Sequence, residues 1–178
     1  MNNIDKAALN IIVVDDESFI CKLLVRALTN LGYTSVTAHE SAFSALEAID
    51  YAARPPDLIL LDLNMPDMDG VEFVRYLVKR NYGGSLIFVS GEDERMLQAA
   101  DKLARAHQIT SLGFLRKPVK PEALAALIDK WTPASADHWS PLDLSKSVKL
   151  RIAYTAEDRK STRLNSSHVS ESRMPSSA

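Results

Sequence analysis

The chain has 178 residues, 46% hydrophobic and 25% charged, with a formal net charge of −2. That balance belongs to a soluble globular protein with room for one domain of ordinary size and further sequence. It excludes a strong general attraction to nucleic acid or to an anionic membrane, and the lone Cys21 excludes an internal disulfide.

No apolar stretch approaches the roughly 20 residues needed to cross a bilayer. Met1–Asp5 lacks the basic-then-apolar pattern of a secretory signal. A reducing, cytoplasmic location is the expectation.

The first short aliphatic run, Asn10–Val14, predicts a buried strand and ends at Asp15-Asp16. Phe19, Ile20, Leu23, Leu24, Ala27 and Leu28 then repeat at helical spacing, with Gly32 as the C-terminal cap. Cys21 lies inside that pattern and reads as a small core residue. Ser35–Ala38 predicts the second strand, and Ala42–Ala53 the second helix, closed by Pro55-Pro56. Leu58–Leu61 predicts the third strand, followed by Asp62. Val71–Arg80 reads as a helix with Val71, Val74, Tyr76, Leu77 and Val78 on its apolar side, ended by Gly83-Gly84. Ser85–Val89 predicts the fourth strand, with Ser90 after it, and Arg95–Ala106 the fourth helix. Ser90 is also placed to cap that helix, whose start carries Glu92, Asp93 and Glu94. Leu112–Leu115 predicts the fifth strand, and Lys117-Pro118 follows it. Pro121 opens a fifth helix with Leu124, Leu127, Ile128 and Trp131 inward. Five βα repeats predict a doubly wound α/β fold, its five-stranded sheet parallel and covered on both faces.

In such sheets ligands bind beyond the carboxyl ends of the strands. The residues there are Asp15-Asp16 after the first strand, Asp62 after the third, Ser90 after the fourth and Lys117 after the fifth. Three converging carboxylates repel one another unless a cation joins them. Hard oxygen ligands of this kind suit Mg²⁺. One carboxylate can attack phosphorus to form an acyl phosphate, a transfer that needs little beyond positioning and charge stabilisation. Each residue alone has a plainer reading as helix cap, turn residue or solvated lysine; it is the joint pattern in chain order that carries the chemistry. His39, His107 and His138 show no metal-ligand spacing with one another or with Cys21.

The blocks Ile11-Ile12-Val13-Val14-Asp15-Asp16-Glu17, Leu58–Gly70 and Phe114-Leu115-Arg116-Lys117-Pro118 resemble the signatures of response-regulator receiver domains. The resemblance implies a flavodoxin-like receiver fold over residues 8–132, with Asp62 as phosphoacceptor. It implies Mg²⁺ held by Asp15, Asp16, Asp62 and the backbone carbonyl of Asn64. Ser90 then matches the switch hydroxyl, Phe114 the switch aromatic and Lys117 the amine that meets the phosphate. Implied partners are a sensor histidine kinase or phosphotransfer protein, and an output domain or downstream protein reached through the fourth and fifth helices. A phosphorylation-dependent dimer is compatible with this; direct nucleic-acid binding and membrane insertion are not implied. One departure is the Ser90-to-Lys117 stretch, a few residues longer than usual through Ala104–Ile109. The enzyme alternative, a haloacid-dehalogenase-like phosphohydrolase, needs its nucleophile after the first strand with a second acid two residues on. This chain has an adjacent acidic pair there instead.

Residues 133–157, rich in Pro and Ser at their start, read as a linker and the beginning of an output domain. Within them Ala153–Asp158 resembles the approach to an EAL-type cyclic-di-GMP phosphodiesterase domain, which makes an amino-terminal fragment of such a regulator the alternative reading. Residues 158–178 are polar and Ser-rich, and resemble translated sequencing-adapter DNA: back-translated, both adapter arms fit in one frame. That stretch is expected to be a disordered, artefactual extension without a native role.

Overall fold

The computed structural model describes residues 6–91 and 94–133. The EAL-like stretch, His138, the adapter-like tail and all but the first residue of the expected linker lie outside them.

Five parallel strands run β1 (Ile11–Val14), β2 (Val36–His39), β3 (Leu58–Asp62), β4 (Ser85–Ser90) and β5 (Thr110–Arg116) along the chain. Across the sheet their order is β2-β1-β3-β4-β5. The alternating helices are α1 (Ser18–Asn30), α2 (Ala42–Tyr51), α3 (Gly70–Lys79), α4 (Glu94–Ala106) and α5 (Pro121–Ile128). This is the doubly wound fold that the alternation predicts.

Every residue of β1, β3 and β4 is buried, because both faces of a parallel sheet are covered by the returning helices. Ile11, Val13, Leu58, Leu60, Ile87 and Val89 share one core with Cys21, Leu24 and Leu28 of α1 and Leu124 and Ile128 of α5. Strand alternation turns Ile12, Val14, Ile59, Leu61, Leu86 and Phe88 to the other face, and these are buried as well.

Of the six apolar residues that mark α1, two fall outside the core: Phe19 is 69% and Leu23 47% exposed. The other departure is at β5. It starts at Thr110, two residues before the predicted Leu112, and its register with β4 slips at Leu112. The extra length seen between Ser90 and Lys117 is therefore taken up partly by a His107-Gln108 turn, with Gln108 at φ +62, and partly by a longer strand.

Helix ends follow local chemistry. Gly32 sits at φ +96, while its N–H bonds Thr29 O at 2.9 Å and that of Tyr33 bonds Leu28 O at 3.1 Å. That is the paired C-terminal motif glycine favours. At the start of α3, Asp69 caps the Glu72 N–H at 2.7 Å. Gly70 next to it is fixed by space: a Cβ there would lie 2.9 Å from Leu63 Cα. The helix can therefore begin hard against the loop that follows Asp62.

Two polar links hold the layers. Arg80, 4% exposed, grips Asp50 of α2 through Nε at 2.6 Å and Nη2 at 2.7 Å. Its Nη1 donates to Tyr76 O at 3.1 Å. Arg80→Lys keeps the charge and loses the fork, so it is expected to cost about 2 kcal/mol. Urea unfolding checks this as a lower midpoint at unchanged slope. At the foot of the sheet Trp131 Nε1 donates to Asp57 O at 3.3 Å. This pins the chain after α5 beside the residue that precedes β3, and makes Trp131 the buried anchor it was expected to be.

Candidate phosphoacceptor site

Strand register assembles the site. Val14 pairs with Leu61, so Asp15, one step past β1, emerges level with Asp62 at the end of β3. Asp62 pairs with Val89, and Ser90 with Arg116. Ser90 and Lys117 thus leave the same rim, tied by the Lys117 N–H to Ser90 O at 3.0 Å.

Asp15 is fully buried and Asp62 is 2% exposed. Lys117 Nζ lies 2.8 Å from Asp15 Oδ2 and 3.2 Å from Asp62 Oδ2. Its side chain is only 17% exposed, so the plainer reading of a solvated loop lysine does not hold. Asp15 Oδ1 accepts the Glu17 N–H at 3.0 Å, and Asp62 Oδ1 the Asn64 N–H at 3.4 Å. Beneath them the thiol of Cys21 donates to Asp15 O at 3.2 Å. Burial, with the Asp15 charge second, pushes that thiol up to about 11, so it is inert packing rather than a nucleophile.

Burial is the main cause that raises both carboxyls above their ordinary range. At Asp15 the Lys117 hydrogen bond works against the rise. At Asp62 the neighbouring Asp15 charge adds to it, while Lys117 opposes. Burial also works against the charge of Lys117, yet its contacts with Asp15 and Asp62 outweigh this and hold the ammonium above its usual value. Too much negative charge is packed here for one lysine to neutralise.

A cation fits the surplus. Asp15, Asp16 and Asp62 each offer an oxygen, all within 4.8 Å of one another. Among the described residues Asp15 Oδ2 has only the Lys117 ammonium, 2.8 Å away, as its partner. It retains lone-pair capacity for a hard cation.

Ser90 is 5% exposed, and its Oγ has no hydrogen-bond partner among the described residues. Among those residues this leaves a buried hydroxyl at the rim with its hydrogen-bonding capacity unused. Ser90 shares with Phe114, Leu97, Gln98 and Arg116 the lining of a cavity of about 230 Å³. Phe114 itself is 52% exposed. Asn64 is exposed in the loop after β3.

The sequence reading missed the part played by Glu17. Its Oε1 accepts a third contact from Lys117 Nζ, at 3.2 Å. The only signal was that it extends the acidic pair to a run of three.

A profile of the response regulator receiver domain matches residues 11–129. The chain belongs to that family. It is 34% identical over 124 residues to the positive alginate biosynthesis regulatory protein of Pseudomonas aeruginosa, a match that covers 68% of this chain and 46% of the relative. It is 29% identical over 138 residues to the DNA-binding transcriptional regulator NtrC of Escherichia coli, covering 78% of this chain and 27% of that one. The chain thus spans less than half the length of these curated relatives. Among solved structures, a response regulator from Colwellia psychrerythraea shares 32% identity at a TM-score of 0.58, over 68% of this chain and 95% of that one. The chemotaxis protein CheY4 of Vibrio cholerae shares 26% at 0.59, over 71% and 100%. This receiver domain is a signalling module of two-component systems, with the flavodoxin-like fold that the resemblance implied. No helix among its described residues is long and apolar enough to cross a membrane.

Proposed function

We propose that Asp62 is the phosphoacceptor of a Mg²⁺-dependent phosphorelay and that the domain switches an output domain or downstream protein in the cytoplasm. The observation that carries this is the convergence of Asp15, Asp62 and Lys117 from three strand ends, with a buried, unpartnered Ser90 hydroxyl beside them.

An Asp62 carboxylate oxygen attacks the phosphorus of a donor in line. With a histidine kinase or phosphotransfer protein the P–N bond breaks, and the imidazole departs with the electron pair and takes up a proton. With acetyl phosphate a P–O bond breaks and acetate leaves. Asp15, Asp16 and Asp62, with the Asn64 carbonyl, would hold Mg²⁺, which supplies charge neutralisation at a phosphoryl oxygen. Lys117 exchanges its Asp62 oxygen for a phosphoryl oxygen and so stabilises the negative charge. Ser90 then has the acceptor it lacks. Its movement frees the cavity between β5 and α4 to take the Phe114 ring, which biases the α4 and α5 surface between two arrangements. That surface is the partner face, and a dimer formed on phosphorylation would use it.

The test is incubation with acetyl phosphate and Mg²⁺, followed by borohydride reduction and peptide mapping. The expected result is a single adduct that is hydroxylamine-labile before reduction, and whose reduction by borohydride expels phosphate and leaves the homoserine alcohol at Asp62. No adduct, or one mapped elsewhere, overturns the assignment.

A further inference from the structure

Glu17 holds the position just before α1, where a short capping side chain is the usual occupant. Its own side chain makes no capping bond. The carboxylate reaches across to Lys117 Nζ at 3.2 Å, one hundred residues on in the sequence. An ammonium has three protons, and three carboxylates surround this one: Asp15 at 2.8 Å, Glu17 at 3.2 Å and Asp62 at 3.2 Å. Asp15 and Asp62 are buried and belong to the acidic triplet that fits a cation. Glu17, with its side chain 60% exposed, stands outside that triplet.

We infer that Glu17 competes with the phosphoryl group for Lys117, and so sets how tightly the site retains a phosphoryl group and how readily an anionic donor loads it. The inference rests on the reading of Asp62 as phosphoacceptor. A cation on the aspartates withdraws Asp15 and Asp62 from the lysine, and Glu17 is then the one carboxylate left on it. An incoming phosphoryl oxygen has to displace Glu17 or share the ammonium with it, and sharing sets two negative groups side by side. Because Glu17 is exposed, it can swing into water, so the competition tunes the site rather than blocking it. An added role in holding the cation predicts the opposite sign: loss of Glu17 would then weaken the phosphoryl complex.

The probe is beryllofluoride, a phosphoryl mimic, titrated at saturating Mg²⁺, with the Mg²⁺ affinity measured separately without it. Glu17→Gln is expected to bind beryllofluoride about two- to five-fold more tightly than wild type, the scale of a partly exposed ion pair. Its affinity for Mg²⁺ alone should be equal or slightly weaker. Glu17→Asp keeps the charge but is one methylene too short to keep the lysine contact, so it should match Glu17→Gln. If Glu17→Gln binds the mimic no more tightly than wild type, the competition does not exist. If Glu17→Asp instead matches wild type while Glu17→Gln tightens, general charge repulsion is responsible and the specific contact is refuted. Should wild type itself fail to bind the mimic, the phosphoacceptor reading falls, and this inference with it. Binding by wild type without the variant effect removes this inference alone.

Discussion

Asp62→Asn should take no phosphoryl group from acetyl phosphate at any Mg²⁺ concentration, while it folds as wild type does. The amide matches the carboxylate in shape and can still accept from the Asn64 N–H, which now bonds Asp62 Oδ1 at 3.4 Å. It cannot attack phosphorus. Stability against pH tests the same residue without any donor. The folded carboxyl of Asp62 is raised, first by burial and then by the Asp15 charge. Between its ordinary value of 3.8 and that raised value the folded state holds more protons than the unfolded state. Wild-type stability from this source is therefore lowest at neutral pH and grows as pH falls through that window. The Asn variant should lack the gain. Melts of both proteins at pH 7 and pH 5 in Mg²⁺-free buffer read the difference; equal pH slopes would show that the Asp62 environment is not the one described.

Lys117→Ala carries the second large effect, and it acts on fold and chemistry together. Truncation leaves Asp15 and Asp62, 1% and 3% exposed at their side chains, without their cation. The expected cost is about 3 kcal/mol at neutral pH without Mg²⁺, at the low end for losing one partner of a buried pair because the rim admits water. Lowering the pH should restore part of it, since the raised carboxyls then take up protons. Adding Mg²⁺ should restore more, because a ligand of the folded state alone stabilises it. Loading from acetyl phosphate should slow roughly tenfold or more, since one charge aimed at the phosphoryl oxygens is gone. A variant that melts like wild type, or that ignores Mg²⁺, would place Lys117 outside the charge balance of the site.

Much of this was legible from residue order. Short aliphatic runs flanked by longer amphipathic ones define five βα units, and an acid, a hydroxyl or a lysine just past four strands marks one rim. Several features were beyond that reading, for physical reasons. Helical spacing showed an apolar stripe of six residues on α1, but not how wide a strip the sheet covers; Phe19 and Leu23 lie beyond its edge. The bond of Arg80 to Asp50 spans thirty residues and depends on how α2 and α3 lie together. Ser90 had two compatible uses from its position alone, and its burial at the rim depends on packing that spacing does not reveal. Glu17 needed the path of the chain after β1, because a side chain that far from Lys117 in sequence reveals no pairing by spacing.

The foot of the sheet has a consequence of its own. The bond from Trp131 to the carbonyl of Asp57 fastens the departing chain at the amino end of β3, and Asp62 stands at the other end of that strand. Five strand residues set these points on the order of 15 Å apart. The described chain therefore ends at the pole opposite the acids. On the proposed phosphorylation of Asp62, a response at that end has to travel the length of β3.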